Sequence, residues 1–528
     1  MGAQSSVNYE PLTPLSFLRR ATHVFGEKTA IIHGDRHYTW KEFSSRVNRL
    51  SSALKSIGIK RGDKVAFLCR NTPPFLEGHY GVAQAGAAIV LLNIRSTVDE
   101  VSYILNHSES KAIFVDGAAA NLVEPDKMPG VKIFVNILDG GITKQLPGVE
   151  YEELLNKGKD EFIELELDEN DPIGFSYTSG TTGRPKGCVH THRGAYLQGL
   201  AQLIEMGMNT YSVYLWTLPI FHIYGWCHVW TMPCLGITSV CMPRPDPEEI
   251  YRLVEKEGVT HMSGAPIVWD RLAEYMDKKG LNFSYPVRVI SSGACPTVKM
   301  IESIERKGGV VMPLFGLAES YAPFANCEWQ PRWDALPAHD RAKIKMHQGV
   351  ANVTAGEMRV VDENMQDVPF DGETIGEVIM RGNLVMREYF KKPKETEKAF
   401  EGGWLHTGDG AVVHPDGYME IKDRFKDIII SGGENISGVE IENTLCEHPD
   451  VLEVAAFATE DEKWGEAVKV LVTPKPGTRP TAEDIIDFCR QRLAHFKCPK
   501  HVEFGEIPRT ATGKIMKHIL RQREKRGK

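Results

Sequence analysis

The chain is 528 residues long, 42% hydrophobic and 25% charged, with 62 basic against 70 acidic side chains and a formal net charge of −8. At roughly 150 residues per domain it holds about three domain-sized units, enough to bury a substantial core. The composition excludes collagenous, disordered and disulfide-scaffold classes, and the acidic balance excludes a non-specific nucleic-acid binder, which needs a basic surface.

Met1 to Tyr9 lacks the apolar core of a signal peptide. Met1-Gly2-Ala3-Gln4-Ser5-Ser6 fits the myristoylation pattern, although one acyl chain anchors only marginally, and the terminal Arg-Gly-Lys is not a Ser-Lys-Leu peroxisomal signal. A cytoplasmic location is therefore expected. The ten cysteines show no zinc-type spacing and read as reduced, mostly buried small hydrophobes.

In chain order, Lys64 to Leu68 reads as a strand, Phe75 to Ala85 as a helix, Ala88 to Leu92 as a strand, Val101 to Asn106 as the start of a helix and Lys111 to Val115 as a strand. The rhythm recurs at Val259 to Met262 and Val287 to Ile290, which predicts parallel βαβ units with ligands at the carboxyl ends of the strands. Tyr211 to Pro243 carries no Asp, Glu, Lys or Arg, but Pro219, Gly225, Pro233 and Gly236 divide it; buried core beside a ligand pocket is the expectation, not a membrane span. After about Asp423 the pattern changes to short strands and a few helices. Ser437 and Glu440 predict a capping box, and Thr481 and Asp484 predict a cap for a helix with Ile485, Cys489 and Leu493 on one face. The basic tail from Arg521 needs no partner.

Four segments carry chemistry. Tyr177-Thr178-Ser179-Gly180-Thr181-Thr182-Gly183-Arg184-Pro185-Lys186-Gly187 packs hydroxyls, glycines and two cations into one loop, a phosphate cradle by composition. It is not a Walker A loop, because Gly187 follows Lys186 where that motif has Ser or Thr. Ser292-Gly293-Ala294-Cys295-Pro296 and Pro313-Leu314-Phe315-Gly316-Leu317-Ala318-Glu319-Ser320 form the second pair, Gly403-Trp404-Leu405-His406-Thr407-Gly408-Asp409 the third, and Pro508-Arg509-Thr510-Ala511-Thr512-Gly513-Lys514-Ile515 the last.

Together these segments resemble the signatures of the adenylate-forming (AMP-binding) superfamily in its order, over nearly the whole chain. The match lies in the acyl-CoA synthetase branch, with medium-chain fatty acid, methylmercaptopropionate and plant-type benzoate and acyl-activating ligases. The resemblance implies that an ATP-activated carboxylate forms an acyl-adenylate and pyrophosphate, and that a thiol then displaces AMP. It implies ATP or AMP contacts from Thr178, Ser179, Gly180, Thr181, Thr182, Lys186, Ser292, Gly293, Ala294, Phe315, Gly316, Asp409 and Arg424. Mg²⁺ falls to Glu319, a mobile catalytic lysine to Lys514, and a hinge to Lys426. His222 is implied as a catalytic pocket residue, with Trp226, His228, Ala265, Pro266 and Leu317 as acyl-pocket neighbours. Gly432, Gly433, Trp464 and Phe496 fall on the CoA side. Cys327 to Pro337 resembles an insertion found in the plant-type and bacterial medium-chain enzymes.

The sequence departs from the pattern at Ala318, where the family usually has Thr; losing such a donor costs about 1 to 3 kcal/mol unless Ser320 or Thr181 replaces it. Cys498 stands where some relatives have Arg. The expected fold is α/β: a large body of Rossmann-like βαβ sheets with a distorted β-barrel lobe, spanning 1–424, and a small mobile α+β domain, 425–528. The expected activity is an acid:CoA ligase of the short, medium or aryl branch, with ATP, Mg²⁺ and coenzyme A. The partners are small molecules, with a homodimer as the one assembly left open. The alternatives are an enzyme that loads a separate carrier-protein thiol, a luciferase-like oxygenase and a weakened AMP-binding protein.

Overall fold

The computed structural model describes residues 6–139, 145–163, 165–178, 184–432, 434–509 and 515–526. Two large sheets, of eight and nine strands, carry the body. In the first, Lys64–Leu68 lies parallel to Ala88–Leu91 on one side and Ser110–Asp116 on the other, and Ala88–Leu91 is parallel to Pro172–Thr178. In the second, His261–Gly264, Val287–Ser291 and Gly309–Leu317 run parallel in sequence order. Lys64–Leu68, Ala88–Leu91 and His261–Gly264 are buried on both faces, which is why the first two read as continuous apolar runs instead of alternating ones, whereas Gly309–Leu317 alternates between buried and half-buried positions.

The predicted elements form within a few residues of their expected limits. Pro73–Gln84 and Val98–Ser108 are the helices between the first strands, the second started by a Thr97–Glu100 capping box. The uncharged stretch from Tyr211 to Pro243 breaks into the strands Val213–Leu215 and Thr238–Val240 with short helical segments, Ile223–Trp226, His228–Thr231 and Met232–Leu235, between them. Among the described residues no helix is long and apolar enough to cross a membrane. The region expected as a distorted barrel lobe contains a four-stranded antiparallel sheet, ordered Glu357–Val361, Gly376–Arg381, Leu405–Val413, Met419–Arg424. A bridge between Gly349 and Met419 ties it to the connection leading into the edge of the nine-stranded sheet.

After Arg424 the chain enters a different sheet and a separate core. Val451–Asp461 and Gly465–Pro474 form its long antiparallel pair, and Ile429, Ile441, Leu445, Val470 and Ile485 close around it. Two local expectations change here. Ser437 accepts from the Glu440 backbone, but Glu440 does not return the bond; its carboxylate takes Lys497 Nζ at 2.7 and 2.8 Å, a charged partner stronger than a backbone amide. Leu493 lies beyond the helix Ala482–Arg490 and reaches the same core from the following loop.

Candidate active site

The phosphate-type loop is the connection of a β-hairpin. Thr178 ends its first strand opposite Lys186, which begins the second, so the two described flanks of the loop are fixed by sheet pairing. Lys186 Nζ stands 3.9 Å from the centroid of Tyr389, and the Tyr389 hydroxyl donates to Glu319 Oε1 at 2.6 Å. Burial, then the neighbouring Glu319 charge, push the Tyr389 phenol far above its ordinary value, so it stays a donor. The Met386 amide donates to the Glu319 carbonyl at 2.7 Å and fixes the backbone behind that carboxylate.

The two central segments lie at neighbouring strand ends. Ser292, Gly293 and Ala294 directly follow Val287–Ser291; the Ser292 amide donates to Gly264 O, Gly293 adopts φ +89°, and Gly293 and Ala294 are exposed. Phe315 and Gly316 lie on Gly309–Leu317, which leaves its parallel neighbour after Pro313 and then pairs antiparallel with a bulge between those two residues. Phe315 at this bend is half-buried and packs against the core of the four-stranded sheet. Ala318 is 9% exposed, and its carbonyl accepts from His190 Nε2 at 2.8 Å. His190 stacks on Tyr321 at 4.1 Å, and burial pulls its pKa down to about 4. The Ser320 hydroxyl is buried and accepts from the Leu317 amide at 2.9 Å, holding its own turn.

Asp409 and Arg424 are cross-strand partners in the four-stranded sheet, and Arg424 Nε lies 3.1 Å from Asp409 Oδ1. Arg424 is also among the charges that act on the Tyr389 phenol, lowering it against the larger effects of burial and Glu319. Lys426 follows in a short turn, exposed, its carbonyl accepting from Arg521. Beside that turn, Lys517 is buried between Asp423 at 2.9 Å and Glu442 at 3.1 Å. Burial works against the Lys517 charge, but Glu442 and Asp423 outweigh it and hold its pKa above the ordinary lysine value.

His222 opens a turn of unusual hand. Ile223, Tyr224, Gly225, Trp226 and Cys227 have φ of 42°, 53°, 53°, 45° and 67°. Only Gly225 is free of the Cβ penalty there, and its ideal Cβ would sit 2.5 Å from Trp216, so close approach also demands glycine. Trp226 and His228 are buried within this block. His228 pairs with Ser263 at 3.1 Å and is pulled down to about 3 by burial, then by His261. Ala265 caps the helix Pro266–Lys279 at the end of a neighbouring strand, and Leu317 ends another, both half-buried.

On the far side of the turn at Lys426, Gly432 has φ +60° and its amide donates to Trp464 O at 2.8 Å; a Cβ there would sit 2.7 Å from the Trp464 ring. Trp464 and Phe496 are 43% and 47% exposed, large fractions for such rings, with Lys463 and Lys500 over the first and Lys497 over the second. Ser179, Gly180, Thr181, Thr182, Gly433 and Lys514 lie outside the described residues.

Comparison with known proteins decides the family. The family model described as AMP-binding enzyme matches residues 18–390, and its C-terminal domain model matches residues 440–514. The chain belongs to the AMP-binding enzyme family. It is 45% identical over 524 residues to a 4-hydroxybutyrate–CoA ligase from Metallosphaera sedula, covering 98% of this chain and 95% of that one. It is 41% identical to an acetate–CoA ligase from Humulus lupulus, covering 99% and 96%, which puts it in the acyl-CoA synthetase branch of the family. A fatty acyl CoA synthetase from Mycobacterium tuberculosis superposes with a TM-score of 0.74 at 28% identity over 98% and 99%. An anthranilate CoA ligase in complex with anthranoyl-AMP shares the fold with a TM-score of 0.89 at 24% identity, over 99% of both chains.

For an AMP-binding enzyme the sequence reading missed two groups. Tyr389 follows Glu388 in a two-residue strand and carries no local mark of its role; only the fold brings it to Glu319 and Lys186. Lys517 sits in a helix full of basic residues, and nothing nearby in sequence distinguishes it from a solvated one. The insertion from Cys327 is anchored rather than loose: Trp333 packs edge-on against Tyr418, whose hydroxyl donates to Glu328 O at 2.6 Å.

Proposed function

We propose that this chain joins a short aliphatic carboxylic acid to coenzyme A, through an acyl-adenylate made from ATP. The meeting of Lys186, Tyr389 and Glu319, together with the Asp409–Arg424 pair of the four-stranded sheet, carries this reading, because these groups offer one cation, one carboxylate and a ribose-type acceptor from three parts of the body. In the first step the carboxylate oxygen attacks the α-phosphorus of ATP, and the bond to pyrophosphate breaks. Lys186 offsets phosphate charge, Asp409 accepts from the ribose hydroxyls with its two oxygens, and Phe315 stacks on adenine beside the Ser292–Ala294 backbone. Glu319, a hard oxygen ligand held in place by Tyr389, suits Mg²⁺, which when bound offsets charge on the phosphates.

Lys514 bridges carboxylate and α-phosphate in this step. The unit 425–528 then turns about Lys426 and brings forward the face with Gly432, Gly433, Trp464 and Phe496. There the CoA thiolate attacks the acyl carbonyl and AMP leaves. Gly432, on which the Trp464 ring packs too closely for a Cβ, belongs to this face, and the lysines around the exposed rings suit the phosphates of CoA.

A short substrate is supported by the mass of rings behind His222. Trp216, Tyr224 and Trp230 are fully buried and Trp226 nearly so, which leaves little depth for a long chain. The relatives named for acetate, butyrate and 4-hydroxybutyrate point the same way. A panel of linear acids from acetate upward, with benzoate, tests it by CoA-dependent pyrophosphate release. Turnover is expected to peak among the shortest acids; a peak at long chains or at benzoate overturns the substrate class, and no turnover with any acid overturns the reaction.

A further inference from the structure

Outside the proposed catalytic residues, three metal-type ligands converge at the far end of the hairpin that carries Asp409 and Arg424. They are His347, His414 and Glu420, and one ligand atom from each lies within 4.8 Å of the other two. His414 Nε2 stands 2.9 Å from Glu420 Oε2, and His347 Nε2 stands 3.9 Å from the same oxygen. The two imidazoles are stacked at 4.1 Å with a 13° angle between planes. Their side chains are 19%, 25% and 21% exposed for His347, His414 and Glu420, sheltered yet open to one added ligand from solvent.

From these observations we infer that His347, His414 and Glu420 form a binding site for a borderline transition-metal dication of the zinc class. Two imidazoles and a carboxylate suit Zn²⁺, Co²⁺ or Ni²⁺ and not Mg²⁺, which prefers oxygen ligands and keeps its water. Ligand atoms in a tetrahedral zinc site stand about 3.4 Å apart, given bonds of about 2.0 to 2.1 Å; the distances of 2.9 and 3.9 Å bracket that value. Water completes the fourth position.

The backbone around the three ligands is already fixed. Gln348 Oε1 accepts from the Ile421 amide at 2.6 Å, Gly349 bridges to Met419, and the His414 amide donates to Tyr418 O at 2.9 Å. One feature opposes the metal: Lys422 Nζ lies 2.8 Å from Glu420 Oε1. It holds the oxygen that the metal does not use, orienting the carboxylate, while its charge weakens binding. The site therefore acts as a clip. A metal there fastens the connection after the helix Ala338–Lys345 to the turn of the hairpin whose other end bears Asp409 and Arg424.

The test uses the whole chain, stripped with EDTA and titrated with Co²⁺ in excess Mg²⁺, and reads the visible absorption of the cobalt ion, not turnover. One Co²⁺ per chain is expected, with the intense bands of four- or five-coordinate cobalt, displaced by Zn²⁺. His347→Ala and His414→Ala should each weaken binding at least about tenfold. Lys422→Met should tighten it, an outcome that misfolding cannot mimic. Binding unchanged in both histidine variants, a six-coordinate spectrum, or weaker binding in Lys422→Met overturns the site.

Discussion

The strand-end segments of the body and the junction at Arg424 are built in opposite ways. In the body, the candidate groups come mostly in short contiguous segments, and buried neutral histidines such as His190 hold the backbone behind them. At the junction, one buried cation, Lys517, is held by two carboxylates from separate elements, and no short segment contains the arrangement. A site of backbone and strand ends is written locally in the sequence; a joint held by charge exists only once distant elements meet.

Acid should separate the two regions most sharply. In the body His79, His190, His192 and His261 are held down to about 4 and His228 to about 3, chiefly by burial. Their unfolded value is about 6.5, so between pH 6.5 and 4 the unfolded chain binds more protons, and stability falls as pH falls. Each such histidine costs about 1.4 kcal/mol per pH unit in that window. Hydrogen exchange across the window should show the body opening first; equal loss in both regions would erase the distinction.

Next in size, Lys517→Met strands Asp423 and Glu442 as buried carboxylates and should cost about 3 to 5 kcal/mol. The loss should appear in denaturant unfolding of the segment beyond Arg424, and a change under about 1 kcal/mol would show that the triad does not hold the junction. Lys514→Ala should lower the adenylation rate about 10² to 10³-fold, measured by pyrophosphate release, while CoA transfer from supplied acyl-adenylate persists. Equal loss of both half-reactions would contradict a role confined to the first. The smallest effect is expected of Tyr389→Phe, which removes one donor to Glu319 and should cost about 1 to 2 kcal/mol in kcat/KM. Sensitivity of that variant to Mg²⁺ concentration would tie the loss to the carboxylate; an unchanged Mg²⁺ dependence would not.

The parallel strands were legible because burial on both faces writes an apolar run, as at Ala88–Leu91, and the caps because Thr97 and Glu100 lie three residues apart. Glu319, Asp409 and Arg424 were legible through the segments around them. Tyr389 was not, since an aromatic in a two-residue strand looks like any core ring until Glu319 is opposite it. Lys517 was invisible for the same reason. Glu440 shows the converse: its spacing from Ser437 satisfied a local rule, and Lys497, fifty-seven residues away, drew the carboxylate elsewhere. Local rules fail where a long-range charge competes for the same atom.

The turn after His222 makes the wall of the proposed acyl pocket a question of handedness. Four of its five left-handed residues bear side chains, and each such residue raises the energy by about 1 to 2 kcal/mol relative to the right-handed form. Together they store several kilocalories per mole, as much as the binding of a small acid can return. The ring-filled packing around them is therefore also a latch: it outweighs the strain and keeps the wall in place, so that loosening it returns only part of what it costs. For a wall so loaded, substrate size and pocket shape are not independent quantities, because an acid that disturbs the rings draws on strain already present in the empty enzyme.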